Sequence, residues 1–205
     1  MNVYVWTNTM KNAYIGKVYY YNYTFKWKTT TQIQNDFSVL RGSLSTNSDW
    51  FCWTSSNDCW LTKSIPSLSN AKKVIIKGTV VVNSTYVSNN AAYFWITINS
   101  GTSTTSYAIN CVEWSTYWWC KVSIRTNNAT TNGNAVWNAV QRTYTTTLII
   151  DFENKTLTGN VSWFSDSTLT LTDSQITELR WCDHLTNYVS LNFSAISDVS
   201  IEIEY

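Results

Sequence analysis

From Val18 to Lys28 the chain reads "VYYYNYTFKWK", with Tyr19, Tyr21, Tyr23, Phe25 and Trp27 at every second position. Successive side chains of a strand point to opposite faces, so this rhythm predicts a β-strand with one aromatic face buried. The rhythm returns at the far end, where "DVSIEIEY" sets Val199, Ile201, Ile203 and Tyr205 against Asp198, Ser200, Glu202 and Glu204. Comparable runs predict strands at 73–83, 91–99, 105–114, 117–126, 145–153, 156–163 and 187–195. No long stretch carries apolar residues at i, i+3 and i+4. Many short strands without amphipathic helices predict an all-β protein, a β-sandwich. Residues 35 to 73 read as irregular loop with short strands. "TDSQITELRWCDHL" is the best helical segment, with Thr172 and Gln175 at capping-box spacing.

Two hairpins can be registered from pattern. In "LIIDFENKTLTGNVSW" a turn at Asn154-Lys155 pairs Glu153 with Thr156, Phe152 with Leu157 and Ile150 with Gly159. Asn at the first turn position tolerates positive φ, and Leu148, Ile150, Phe152, Leu157, Val161 and Trp163 then share the buried face. In "YAINCVEWSTYWWCKVSI" a turn at Ser115-Thr116 pairs Trp114 with Tyr117, Val112 with Trp119 and Cys111 with Cys120. Ser-Thr is a poor turn dipeptide, which leaves a longer loop open. The face opposite Ile109, Cys111, Cys120, Val122 and Ile124 gathers Trp114, Tyr117 and Trp119 beside Asn110 and Lys121.

The chain has 205 residues, enough for one main domain with a sizeable core. With a formal net charge of +1 and only 13% charged residues, nothing in it forms the basic footprint of a nucleic-acid or anionic-membrane partner. No apolar stretch approaches the ~18 residues that span a bilayer. The five cysteines, Cys52, Cys59, Cys111, Cys120 and Cys182, lack Cys-X-X-Cys spacing, so no zinc site is expected. Short-range disulfides Cys52–Cys59 and Cys111–Cys120 fit the spacing, and so do five buried thiols.

Catalytic chemistry has few parts to work with. The single histidine, His184, follows Asp183, and adjacent residues on a strand face opposite ways, so they form no ready dyad. Asp151 with Glu153, and Glu202 with Glu204, share strand faces at a spacing that glycoside hydrolysis could use, but alternating carboxylates are also what a solvent-facing strand displays. Glycine-rich phosphate loops and metal-spaced His/Asp/Glu clusters are absent, so no cofactor and no metal is expected. The recognition candidate is the cluster Trp114, Tyr117 and Trp119 with Asn110 and Lys121. Indole and phenol rings stack on the apolar faces of sugars while amide and amine groups bond their hydroxyls; the same cluster would equally suit contact with another subunit.

The stretches "LSNAKKVIIKGTVVV", "IIDFENKTLTGNVSW", "LTDSQITELRWCDHL" and "YVSLNFSAISDVSIEIEY" resemble strands of concanavalin A-like, laminin-G-like jelly-roll domains, over about residues 17–205. The Glu-X-Asp-X-X-Glu strand signature of that superfamily's glucanases is missing, so the resemblance implies a non-enzymatic member. The opening "VYVWTNTMKNAYIG" resembles N-terminal segments of virion surface proteins in tailed, crAss-like phages. It implies an attachment arm over residues 1–16, with Tyr4, Trp6, Asn8, Asn12, Tyr14 and Ile15 docking on other virion proteins; Val3, Val5 and Trp6 could instead begin the sandwich. The sequence shows no export signal, as suits a protein assembled in the host cytoplasm and exposed on the particle. The expectation is a phage fibre, decoration or tail component that binds host-surface glycans. Such fibres are often trimers, although no heptad or repeat demands it. The rival expectation is a free carbohydrate-binding module or a glycoside hydrolase-like jelly roll.

Overall fold

The computed structural model describes residues 13–15, 18–41, 59–82, 94–99, 108–114, 119–125, 130–137, 142–161, 166–180, 188–193 and 196–205. In chain order the elements are β1 (Ala13–Ile15), β2 (Val18–Thr24), α1 (Thr30–Asp36), β3 (Ser38–Arg41), β4 (Cys59–Ser64), β5 (Lys73–Val82) and β6 (Phe94–Asn99). There follow β7 (Ala108–Trp114), β8 (Trp119–Arg125), β9 (Thr130–Trp137), β10 (Arg142–Asp151), β11 (Thr156–Val161), β12 (Ser167–Thr170), α2 (Asp173–Arg180), β13 (Tyr188–Phe193) and β14 (Ile196–Glu204). The strands form two seven-stranded sheets, ordered β1-β2-β14-β5-β10-β11-β12 and β3-β4-β13-β6-β7-β8-β9. The pairing is antiparallel throughout the described ladders, and the all-β sandwich expected from the alternation is the architecture found, of the jelly-roll type that the resemblance implied.

The first sheet shows how alternation becomes a core. Tyr21 stands opposite Ile201, Ile201 opposite Ile76, and Ile76 opposite Leu148, a row that crosses four strands with each side chain at most 1% exposed. The next row inward runs Tyr19, Ile203, Val74, Ile150 and Leu157, again all buried. Burying each such side chain stabilises the fold by roughly 2 kcal/mol before entropy is counted. At the β2 end the aromatic run closes on itself. The Tyr23 and Phe25 rings meet edge to face at 4.9 Å, and Phe37, arriving from beyond α1, stands edge-on to Tyr23 at 4.9 Å and stacks on Phe25 at 5.5 Å.

The structure corrects several details of the sequence reading. In the β10–β11 hairpin Asp151 faces Thr156 and Ile150 faces Leu157, two residues away from the tight-turn register. The cause is Asp151, whose Oδ1 accepts from the backbone N–H of Glu153 and Asn154 at 3.1 and 2.8 Å while Oδ2 accepts from Asn154 Nδ2. This fixes a four-residue loop in which Lys155, not Asn154, takes the positive φ of 53°. The β7–β8 register is shifted by two residues as well: Trp114 faces Trp119, so Cys111 stands opposite Val122 and Cys120 opposite Glu113. The cysteines expected to face each other do not. A shift of two residues preserves the parity of a strand, and Leu148, Ile150, Phe152 and Leu157 are buried as predicted, while Trp163 lies outside the described residues.

The aromatic alternation also ends sooner than expected. β2 stops at Thr24, Phe25 remains buried, and Trp27 stands in a turn closed by Lys28 N–H donating to the Phe25 carbonyl at 3.2 Å. The segment read as loop with short strands does contain the short strands β3 and β4, and the helix α1, which was not expected, ends at its start. That helix carries a reciprocal capping box between Thr29 and Gln32, and α2 carries the expected one between Thr172 and Gln175. Strands β9 and β12 were not expected at all.

Candidate functional site

Of the predicted recognition residues, Tyr117 lies outside the described residues, while the other four have backbone positions in β7 and β8. Trp114 is the register partner of Trp119, and Trp119 of Trp137 on β9, so three tryptophan positions form one row across three strands. Lys121 lies between Val112 and Ala135. Asn110 belongs to a longer row: Trp60, Asn192, Trp95, Asn110, Ser123 and Asn132 succeed one another across β4, β13, β6, β7, β8 and β9. Leu61, wholly buried, opposes Leu191, itself opposite Ile96, and Trp60, Asn192 and Trp95 are each one residue along their strands from that row. Trp60, Trp95, Trp137 and Asn192 were missed by sequence reasoning because their partners lie on strands remote in the chain.

A second site is built from side chains around α1. The C-terminal end of the helix and strands β3 and β4 enclose a cleft of ≈ 180 Å³ lined by Gln34, Asn35, Asp36, Ser38, Thr62 and Ser64 among others. Its lysine, Lys63, donates from Nζ to the Asp36 carbonyl at 3.0 Å and lies over the Tyr21 ring, 4.7 Å from its centroid, with Phe37 at 5.6 Å. An ammonium placed over two ring faces gains from their negative quadrupoles, and the carbonyl satisfies one of its donors. The Tyr21 hydroxyl is buried without a hydrogen-bond partner among the described residues. Burial raises the Tyr21 phenol well above its ordinary range, and the Tyr23 phenol and the Asp36 carboxylate push it further. Tyr23 is raised too, by burial first and then by Asp36. Thr29-X-X-Gln32, the sequence signature that starts α1, was the signal that could have located this helix and its cleft.

The paired acids proposed for hydrolysis are placed differently. Asp151 is the anchor of its own hairpin turn, with Lys73 Nζ at 4.0 Å, and Glu153 is exposed in the loop. Burial would raise the Asp151 carboxyl, but the hydrogen bonds from Asn154 and Glu153 and the charge of Lys73 outweigh it and hold the carboxyl below its usual range. Glu202 and Glu204 lie half-buried on the outer side of the interior strand β14, where Glu202 faces Tyr20 and Glu204 faces Val18. Among the described residues no group of three or more His, Cys, Asp or Glu is arranged to hold a metal ion. No helix is long and apolar enough to cross a membrane among them either. Of the attachment-arm residues, Tyr4, Trp6, Asn8 and Asn12 lie outside the described residues. Tyr14 and Ile15 belong to β1, where they pair with Tyr19 and Val18 at the edge of the first sheet.

No protein-family model matches the sequence. No curated protein matches it either. Solved structures do. Winged bean acidic lectin in complex with methyl-α-D-galactose is similar with a TM-score of 0.62 at 10% identity, over 91% of this chain and 98% of that one. Peanut lectin is similar with a TM-score of 0.61 at 11% identity, over 92% and 98%. A carbohydrate esterase from the Shiga toxin-encoding bacteriophage phi24B is similar with a TM-score of 0.53 at 10% identity, over 82% and 90%. The chain therefore has the concanavalin A-like jelly-roll fold.

Proposed function

We propose that this chain is a non-enzymatic carbohydrate-binding sandwich carried on a phage particle, where it attaches to glycans of the host surface. The observation that carries the binding role is the row Trp114, Trp119 and Trp137 in register across β7, β8 and β9, beside the row containing Trp95, Asn110, Ser123 and Asn132. Tryptophan positions in one row suit the repeating apolar faces of a sugar chain, and the neighbouring amide and hydroxyl positions suit its hydroxyl groups. The low charge of the chain favours a neutral glycan over an anionic polymer. Lectins with the same fold, one of them holding a galactoside, support the reading.

The particle role is supported by the likeness of the opening segment to virion attachment arms and by the phage origin of one similar structure. Of the arm expected over residues 1–16, residues 13–15 pair with β2 as β1, and residues 1–12 would dock on another virion protein, with Tyr4, Trp6, Asn8 and Asn12 burying or bonding only in that complex. The free carbohydrate-binding module shares the same glycan face and differs in having no docking partner.

The experiment is binding of the purified protein to immobilised polysaccharides, comparing wild type with Trp119→Ala and Trp137→Ala. Each variant should lose tenfold or more in affinity while its far-UV circular dichroism stays unchanged. Full retention by both variants would refute the tryptophan row as the glycan face. Deleting residues 1–12 should leave polysaccharide binding intact and abolish co-sedimentation with particles. A truncated chain that still sediments with them would refute the arm.

A further inference from the structure

Among the side chains that the structure describes, Tyr20 and Trp27 are the large apolar ones left exposed, and Trp27 is 78% exposed. It occupies the third position of the Phe25–Lys28 turn at a φ of 62°, in the left-handed region. Turns of this kind place glycine or asparagine there, because a Cβ crowds the backbone. A bulky aromatic residue therefore sits where both backbone sterics and water disfavour it, an outlier of the type that accompanies binding sites.

The flanking residues hold it there. Lys26 N–H donates to Thr24 Oγ1 at 3.4 Å and its ammonium lies 3.8 Å from the Asp198 carboxylate, while the Lys28 ammonium lies 5.6 Å from the centre of the Tyr23 ring. Both neighbours are tied back to the sandwich and the indole between them is directed outward. A turn held in that way needs little further ordering of its backbone when the indole meets a ligand.

The nature of the ligand follows from what lies beside the turn. Trp27 precedes the N-cap of α1, and the cleft of Asn35, Asp36, Ser38, Thr62 and Ser64 opens at the C-terminal end of the same helix. The helix has seven residues and is about 10 Å long. A protein interface needs a continuous apolar core, and here one isolated ring is followed by a row of amides, hydroxyls and a carboxylate. An apolar plate at one end and hydrogen-bonding groups at the other match a sugar chain, whose rings offer apolar faces and whose edges offer hydroxyls.

We propose that the α1 end of the sandwich is a second oligosaccharide-binding site, in which Trp27 stacks on one ring and the Asn35–Asp36 cleft bonds another. It rests on the carbohydrate reading but not on the tryptophan row of the second sheet. The ligand must be longer than one ring to reach both parts.

The test is retention of the purified full chain on immobilised laminarin, mannan, dextran and galactan, followed by calorimetric titration with a hexasaccharide and a monosaccharide of whichever polymer retains it. Trp27→Asn and Asn35→Ala are compared with Trp119→Ala. The proposal expects at least a tenfold weaker hexasaccharide affinity in both Trp27→Asn and Asn35→Ala, a monosaccharide affinity far below that of the hexasaccharide, and a thermal midpoint of Trp27→Asn at or above wild type, because asparagine tolerates positive φ. Wild-type affinity in Trp27→Asn or in Asn35→Ala, with loss in Trp119→Ala, overturns this site and leaves the tryptophan row standing. A lowered midpoint in Trp27→Asn overturns it as well, since the indole would then be holding the fold. Retention of the wild type on none of the four polymers overturns both sites.

Discussion

Ile76 and Ile75 are adjacent on β5 and should respond very differently to alanine. Ile76 is wholly buried, with Leu148 and Ile201 as its register partners, whereas Ile75 is half-buried on the other face between Ile149 and Glu202. Ile76→Ala removes three carbons from a closed core, a transfer loss of about 2.4 kcal/mol. The residual cavity adds about 1 kcal/mol, because a sheet held by hydrogen bonds on both sides cannot collapse into the space. The expected cost is therefore about 3.5 kcal/mol. At Ile75 roughly half of the transfer term applies and no closed cavity forms, so the cost is about 1 kcal/mol. Urea unfolding followed by circular dichroism measures both, and with an m-value of about 2–3 kcal/mol/M the midpoint should fall by more than 1 M for Ile76→Ala and by under 0.5 M for Ile75→Ala. Equal costs, or a larger cost at Ile75, would mean that the first sheet presents its other face to the core, and the face assignments built on it would fail.

Three further outcomes follow from the structure. Asp151 is held below its usual carboxyl range in the folded state, so the stability it contributes is present above its unfolded value near pH 4 and is lost as pH falls through the folded value; Asp151→Asn should flatten the acid limb of a stability–pH profile, and an unchanged limb would refute the turn's role. Tyr21 and Tyr23 are raised, so their contribution is complete below the unfolded phenol value near pH 10 and disappears as pH climbs toward the folded values. Alkaline unfolding monitored by fluorescence should move to higher pH in Tyr21→Phe, and no movement would count against burial of that hydroxyl. Thr29→Ala removes the hydroxyl that caps α1 and should cost about 1 kcal/mol, read from the urea midpoint.

The two hairpins show what kind of information the sequence holds. Leu148, Ile150 and Leu157 are buried as the alternation requires, yet both registers are shifted by two residues from the tightest turn that fits the pattern. Parity is written in hydrophobicity and survives a shift of two, whereas loop length depends on a side chain such as Asp151 capturing the backbone of Glu153 and Asn154. Trp27 shows the opposite failure. Its spacing continues the buried run of Tyr19 to Phe25, but the strand has already turned, after Phe25 N–H donates to the Ser197 carbonyl at 2.8 Å. That partner lies at the far end of the chain, where no local pattern could announce it.

The sequence by itself determined that this protein is a β-sandwich, which residues of β2, β10, β11 and β14 face its core, and where α2 is capped, because each of these depends on neighbours within a few residues. Only the tertiary structure decided the rest. Trp137 joins Trp114 and Trp119, Trp95 joins Asn110 and Asn192, and Lys63 lies over Tyr21, through strand pairings and packing between segments up to about a hundred residues apart. Periodicity fixes the face of a strand, but the partner across the ladder is chosen by the burial of the whole sheet, and a binding face assembled across strands exists only once that choice is made.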